Sequence, residues 1–354
     1  MNISNIQAKF TEHKIDALLL FTPQNIRYAA GFPVDDGAVL ITRGHSWLFT
    51  DSRYIEAARA GVQGAEAVQF TREKPLADCL KDALTSCGAK AVGAEDDGLS
   101  HRQWRTYEEK LGMPLTCAGD ILKSLRAVKQ PYEVEAITAA QRIAENALDE
   151  VLGLIRPGIT EREIAAELTY RMLLHGGEGN AFDPIAITGK KTSMPHGVPG
   201  DAAVQAGDFV TMDFGCITDG YRSDMTRTVA VGFATEEMRK VYRTVLEAQE
   251  AGIDAAKAGV TGAAVHAAAA EVIAGAGYGE YFGHGFGHSV GLDIHEAPNA
   301  SPLNTQPLPA GAVVTAEPGI YLPGKFGVRI EDMLHITETG SVNLTKAPKE
   351  LLVL

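Results

Sequence analysis

Two stretches of this chain repeat each other, and the repeat restricts its possible folds more than any other feature. AGDFVTMDFG at 206–215 and AGAVVTAEPG at 310–319 share their Ala-Gly, Val-Thr and final Gly, and Glu317 stands where the first copy has Asp213. Upstream, Gly158-Ile159-Thr160 is matched by Gly259-Val260-Thr261. The offsets are 104 and 101 residues, in the same order. Thr160 and Thr261 are natural N-caps, since a threonine hydroxyl can accept from a free N–H of the first helical turn. The reading is a duplicated unit of two helices followed by strands.

With 354 residues, the chain is long enough for about two domains. The duplication occupies the second, so residues 126–354 are expected to form it and 1–125 a smaller domain. In that first part IDALLLF and AVLITRGHSWLFT read as strands, the second a hairpin around Arg43-Gly44. DSRYIEAARAG and HRQWRTYEEKLG read as helices closed by Gly61 and Gly112. This alternation predicts an α/β domain. Lys123, Arg126 and Lys129, before the helix-starting Pro131, read as a solvated connector.

There are 32 basic and 45 acidic side chains, a formal net charge of −13. That balance argues against nucleic acid or an anionic membrane as partner, because both need a basic face. The N-terminus has no basic start followed by an apolar run, and no apolar stretch approaches the ~20 residues of a membrane span. The four cysteines form no CxxC pair. The expectation is a reduced, cytoplasmic protein.

The acids in the duplicated segments carry the chemistry. Asp213 and Asp224 flank the turn Thr218-Asp219-Gly220 almost symmetrically, and Glu317 and Glu331 each lie seven residues from Gly324. Regular hairpins would place each pair on opposing strands, with Cβ atoms ~5 Å apart. The surrounding runs are apolar, so these acids are expected to be buried. Carboxylates buried that close repel one another and need a cation or a proton. Two pairs related by duplication carry about four negative charges, which two divalent ions would balance. Three histidines, His284, His288 and His295, fall in GHGFGHSVGLDIHEAP, where the glycines disfavour a helix. In an extended chain His284 and His288 share a face. His196, in SMPHGVPGD, precedes His295 by nearly the repeat offset.

Taken together, PHGVPGD, VTMDFG, YRSDMTRTVAVG, GHGFGHSVGLDIHEAP, AEPGIY and GVRIEDM resemble the pita-bread metallopeptidases: aminopeptidase P, prolidase and methionine aminopeptidase. NIRYAAGF and FTDSRYIEAA resemble the creatinase/prolidase N-terminal domain, which favours the proline-peptidase branch. The resemblance implies an α+β chain: a C-terminal pita-bread fold with an internal pseudo-twofold duplication, preceded by a smaller α/β creatinase-like domain. It implies five metal ligands, Asp213, Asp224, His288, Glu317 and Glu331, with Asp224 and Glu331 bridging two ions. It implies Mn(II), with Co(II) or Zn(II) as other candidates. His196, His284 and His295 would face substrate, and Arg329 would hold a ligand carboxylate. The implied reaction is hydrolysis of the N-terminal Xaa-Pro bond by a metal-bridging hydroxide. Glu317 is the implied proton shuttle, and His295, with a metal, the oxyanion support. An Xaa-Pro dipeptidase is the alternative, and a catalytically silent binding module a remote one. The substrates would be small peptides with proline second, and the protein a homodimer. Two departures stand out. Ser289 follows His288 where many relatives have glycine, and Lys190-Lys191 occupy positions where small polar residues are common, which suggests an effect on substrate binding at the cleft rim.

Overall fold

The computed structural model describes residues 2–354. The chain divides into two compact units, Met1–Leu125 and Arg126–Leu354.

The first unit is built on a six-stranded mixed sheet. In spatial order its strands are Glu66–Gln69, Ser46–Thr50, Gly37–Thr42, Ala17–Leu20, Val92–Ala94 and Leu115–Cys117. The pairs joining Ala17–Leu20, Gly37–Thr42 and Ser46–Thr50 are antiparallel, and the outer pairs are parallel. The hairpin turns at Arg43-Gly44 as expected. Gly112 ends its helix with φ +72°, whereas Gly61 is the last residue of its own helix and extended Val62 follows it. Glu95 is fully buried beside the helix Pro23–Ala30. It accepts from the Phe21 and Thr22 amides, the Thr22 hydroxyl at 3.0 Å and the Asn25 amide at 2.5 Å. A carboxylate there satisfies N–H groups at the positive helix end.

In the second unit the duplication is visible element by element. The helices Pro131–Leu152 and Glu161–Leu174 are matched by Glu236–Ala255 and Gly262–Gly275. Thr160 and Thr261 cap the second helix of each pair through their hydroxyls, accepting from Glu163 N and Ala264 N. The strands Ile185–Thr188, Phe209–Phe214 and Met225–Ala230 form an antiparallel sheet. Their counterparts Gly287–Ser289, Val313–Ala316 and Asp332–Ile336 are central to a five-stranded antiparallel sheet. Each half packs an apolar cluster between its helices and its sheet, around Phe209, Val245 and Phe286 in one and Leu148, Met212 and Phe214 in the other. Thr226 and Glu331 join the halves: the Glu331 amide donates to Thr226 O at 3.1 Å. No helix of the described residues is long and apolar enough to cross a membrane.

Candidate metal centre

The two hairpins differ in register. Gly319 pairs with Arg329 and Ala316 with Asp332, so the same register carries Glu317 opposite Glu331 in the gap between two strand pairs. In the first copy Asp213 pairs with Thr226, not Asp224. The turn there centres on Asp219-Gly220, both at positive φ, one residue later than symmetry about the two acids requires. Asp224 therefore sits diagonally from Asp213 on the same face, within reach but not directly opposite. Gly215 makes this crossing possible, because a Cβ on it would lie 1.9 Å from Ser223 O.

Asp213, Asp224, His288, Glu317 and Glu331 line one cavity of about 500 Å³ together with His196, His284, His295 and Arg329. One ligand-type atom from each of Asp224, His288 and Glu331 lies within 4.8 Å of the others. His288 Nε2 is 3.5 Å from both Asp224 Oδ2 and Glu317 Oε1. A proton on His288 Nδ1 satisfies Ser289 O at 3.2 Å, which leaves Nε2 bare toward the carboxylates. Burial, then His295, pushes the His288 pKa down to about 4, so the ring is neutral near pH 7.

The carboxylates are frustrated as they stand. Burial, then repulsion from Glu331, Asp213 and Glu317, raises the Asp224 pKa well above its usual value. Burial, then Glu317 and Asp213, does the same to Glu331. Glu317 is pushed up to about 8 by burial, with Arg329 opposing and Asp213 adding. Oδ1 of Asp213, Oδ1 of Asp224 and Oε1 of Glu331 are buried without a hydrogen-bond partner. Bare carboxylate oxygens, one unprotonated imidazole nitrogen and a single neighbouring guanidinium fit a divalent cation site.

Arg329 ties the carboxylates to the pocket wall. It donates from Nη2 to Asp213 at 2.5 Å, from Nε to Thr226 Oγ1 at 3.0 Å and from Nη1 to the Tyr321 hydroxyl at 2.9 Å. Thr226 Oγ1 donates in turn to Glu331 Oε2 at 2.7 Å. The Tyr321 hydroxyl lies 3.0 Å from His284 Nε2, and His284 Nδ1 lies 2.8 Å from Gly285 O. Nδ1 carries the proton toward that carbonyl, so Tyr321 donates to Nε2. Burial, with Arg329 and two other histidines near, holds His284 at about 4 and neutral. His295 packs its ring 4.4 Å from that of His288, and both His196 and His295 are exposed at the cavity wall.

Sequence reasoning missed Tyr321 and Thr226. The signal was available: Glu317, Gly319 and Tyr321 alternate along one extended run that leads into the strand Gly319–Leu322, as do Arg329 and Glu331 on the run opposite. Two readings are corrected. Arg126 and Lys129 are not solvated, because their ammonium and guanidinium groups converge on buried Glu296, Lys129 at 2.9 Å. Lys191, expected to affect substrate binding at the cleft rim, is not among the residues lining the cavity; its ammonium is bound 2.6 Å from Glu161, a fully buried acid that also accepts from Thr188 N and Gly200 N.

This duplicated fold surrounds a carboxylate-rich centre that could hold a metal ion. Residues 135–338 match the model of metallopeptidase family M24, and residues 2–128 that of the creatinase/prolidase N-terminal domain. The chain belongs to metallopeptidase family M24. It is 37% identical to an Xaa-Pro dipeptidase from Pyrococcus furiosus, over 96% of each chain. A solved Xaa-Pro dipeptidase from Bacillus anthracis superposes with TM-score 0.96 at 38% identity, over 100% of this chain and 99% of that one. A solved X-Pro aminopeptidase from Thermotoga maritima gives 0.93 at 37%, over 98% and 100%.

Proposed function

We propose that the chain hydrolyses the bond between an N-terminal residue and a following proline, and that it prefers peptides extending beyond the proline. The first half rests on the named relatives together with the cavity. The second half rests on one observation. Arg329 is the one permanent cation among the residues lining the cavity, and Asp213, Tyr321 and Thr226 already occupy it. The lining therefore offers a dipeptide's free carboxylate no unspent lysine or arginine. A longer peptide presents a neutral amide at that point, which suits Asn299 and Ser301 on the wall. The dipeptidase reading is favoured instead by relatives bearing that name.

Asp213, Asp224, His288, Glu317 and Glu331 would hold two divalent ions, with Mn(II) the first choice for hard carboxylate ligands and one imidazole. When bound, such ions supply Lewis acidity and an activated water. Glu317, a carboxylate of the same cluster, would accept the proton of the attacking water and pass it toward the leaving proline nitrogen. His295 donates toward the oxygen of the scissile carbonyl as charge develops on it. His196 and His284 line the wall against the proline side of the substrate, and the Tyr321 hydrogen bond fixes the orientation of His284. Catalysis is assigned to residues 126–354. The homodimer and the cytoplasmic location rest on the family resemblance and on composition.

Release of alanine from Ala-Pro and Ala-Pro-Ala in Mn(II) tests the proposal. Faster cleavage of the tripeptide is expected. Preference for Ala-Pro would establish the dipeptidase reading, and cleavage of neither, with Met-Ala peptides cut, would overturn the proline assignment.

A further inference from the structure

Glu296 follows His295, and its carboxylate is folded back into its own loop. Oε1 accepts from the Asp293 amide at 3.0 Å and from Arg126, while Oε2 accepts from Lys129 Nζ at 2.9 Å. The carboxylate closes over Gly291, where a Cβ would lie 2.6 Å from Oε1. Lys129 is itself fixed, donating from Nζ to Arg126 O and from its amide to Gly311 O, each at 2.9 Å. Arg126 also grips Asp293 at 2.6 Å. Segment 291–296 is thereby closed into a loop, with Gly291 N donating to Asp293 O at 3.0 Å and Gly291 O accepting from Arg222 N at 2.8 Å.

The Lys129 and Glu296 side chains are 1% and 6% exposed, so both charges are fully desolvated. A buried ion pair of this kind adds little stability over apolar residues of equal volume, and its attested use is to fix one arrangement among several. What it fixes here is the residue before Glu296. Among the described residues the His295 ring has no hydrogen bond of its own, and it is placed by the loop against His288.

We propose that Glu296, clamped by Lys129 and Arg126, is a positioning residue that sets the His295 ring over His288. This rests on the reading above in which His295 faces the scissile carbonyl. A displacement of the order of 1 Å in a reacting group costs about 100-fold in rate. The clamp therefore acts on kcat rather than on substrate affinity.

Glu296→Gln alone strands a buried ammonium, so the main variant is Glu296→Gln with Lys129→Met, which removes both charges; Lys129→Met alone is the second. Steady-state kinetics on Ala-Pro-Ala in Mn(II) is measured for wild type, the double variant, His295→Ala and the triple combination. The expected result is a kcat lowered by about 100-fold with KM nearly constant. Once His295→Ala is present, the clamp substitutions should cost less than about twofold more. A full multiplicative loss in the His295→Ala background would overturn the proposal. Hydrogen–deuterium exchange gives a readout independent of substrate. Segment 290–297 should exchange faster in the variants while 313–316 stays protected, and unchanged exchange would also overturn it. If wild type cuts no Xaa-Pro peptide, the function reading fails while exchange still judges the clamp.

Discussion

The Arg329 guanidinium donates to the Asp213 carboxylate across 2.5 Å, with 4% and 13% of the two side chains exposed. A charge-assisted bond this well shielded from water fixes the direction in which the other Asp213 oxygen points. Arg329 does this while donating from three separate nitrogens to Asp213, Tyr321 and Thr226. Lysine has one nitrogen and cannot reproduce the fork. Arg329→Lys is expected to weaken Mn(II) binding by about 10- to 100-fold, as loss of support for a ligand does elsewhere. Competition with a fluorescent chelator measures it, and an affinity within twofold of wild type would release Asp213 from Arg329 control.

Asp224 predicts an opposition between stability and activity. Its folded-state pKa is raised by burial and by Glu331, so in metal-free protein it opposes folding when ionised. Below the unfolded value near 4 it is neutral in both states and costs nothing. As pH rises, the unfolded chain gives up its proton while the folded chain must keep it or ionise against its neighbours. Stability carried by the protonated group is thus lost as pH rises toward the folded pKa. Asp224→Asn removes that dependence. The metal-free variant should melt higher than metal-free wild type, by a margin that grows from pH 4 to pH 8, yet have no peptidase activity. Equal melting temperatures across that range would contradict the crowding.

How much of this was readable beforehand varies by residue. The Glu317–Glu331 register could be counted from the sequence because one symmetric hairpin spans both acids. The Asp213–Asp224 register could not, because a two-residue turn at Asp219-Gly220 shifts the centre by one position. The duplication was legible because helix caps and strand runs are local signals. Lys129 and Lys191 were misread because each partner, Glu296 and Glu161, is distant in sequence and buried only by the fold. A basic residue in a polar connector carries no local mark of such a partner.

Glu317→Gln isolates proton transfer from metal binding. The amide keeps a ligand oxygen but, unlike a carboxylate, cannot accept a proton near neutral pH. Losing a positioned acid–base group costs about 10²- to 10⁴-fold. The variant should lose that much kcat on Ala-Pro-Ala while elemental analysis finds the wild-type metal content. Full activity with metal bound would remove Glu317 from the mechanism.

Gly283 and Gly287 belong to the same histidine segment, yet substitution should separate them sharply. A Cβ on Gly287 would lie 1.9 Å from the Thr315 carbonyl oxygen and 2.6 Å from its carbon. Both are backbone atoms of the adjacent strand, so the two strands would have to part. Gly287 precedes His288, whose amide donates to Thr315 Oγ1 at 3.1 Å and whose ring meets Asp224 and Glu317. Overpacking of this kind costs about 1–3 kcal/mol, and here the strain falls on the strand that carries the imidazole. Gly287→Ala should lower the melting temperature and weaken Mn(II) binding together. A Cβ on Gly283 meets nothing within 4 Å, and Gly283→Ala should leave both quantities at wild-type values. Thermal denaturation and metal titration of the two variants side by side would decide the matter, and metal binding left intact by Gly287→Ala would show that His288 does not depend on this strand contact.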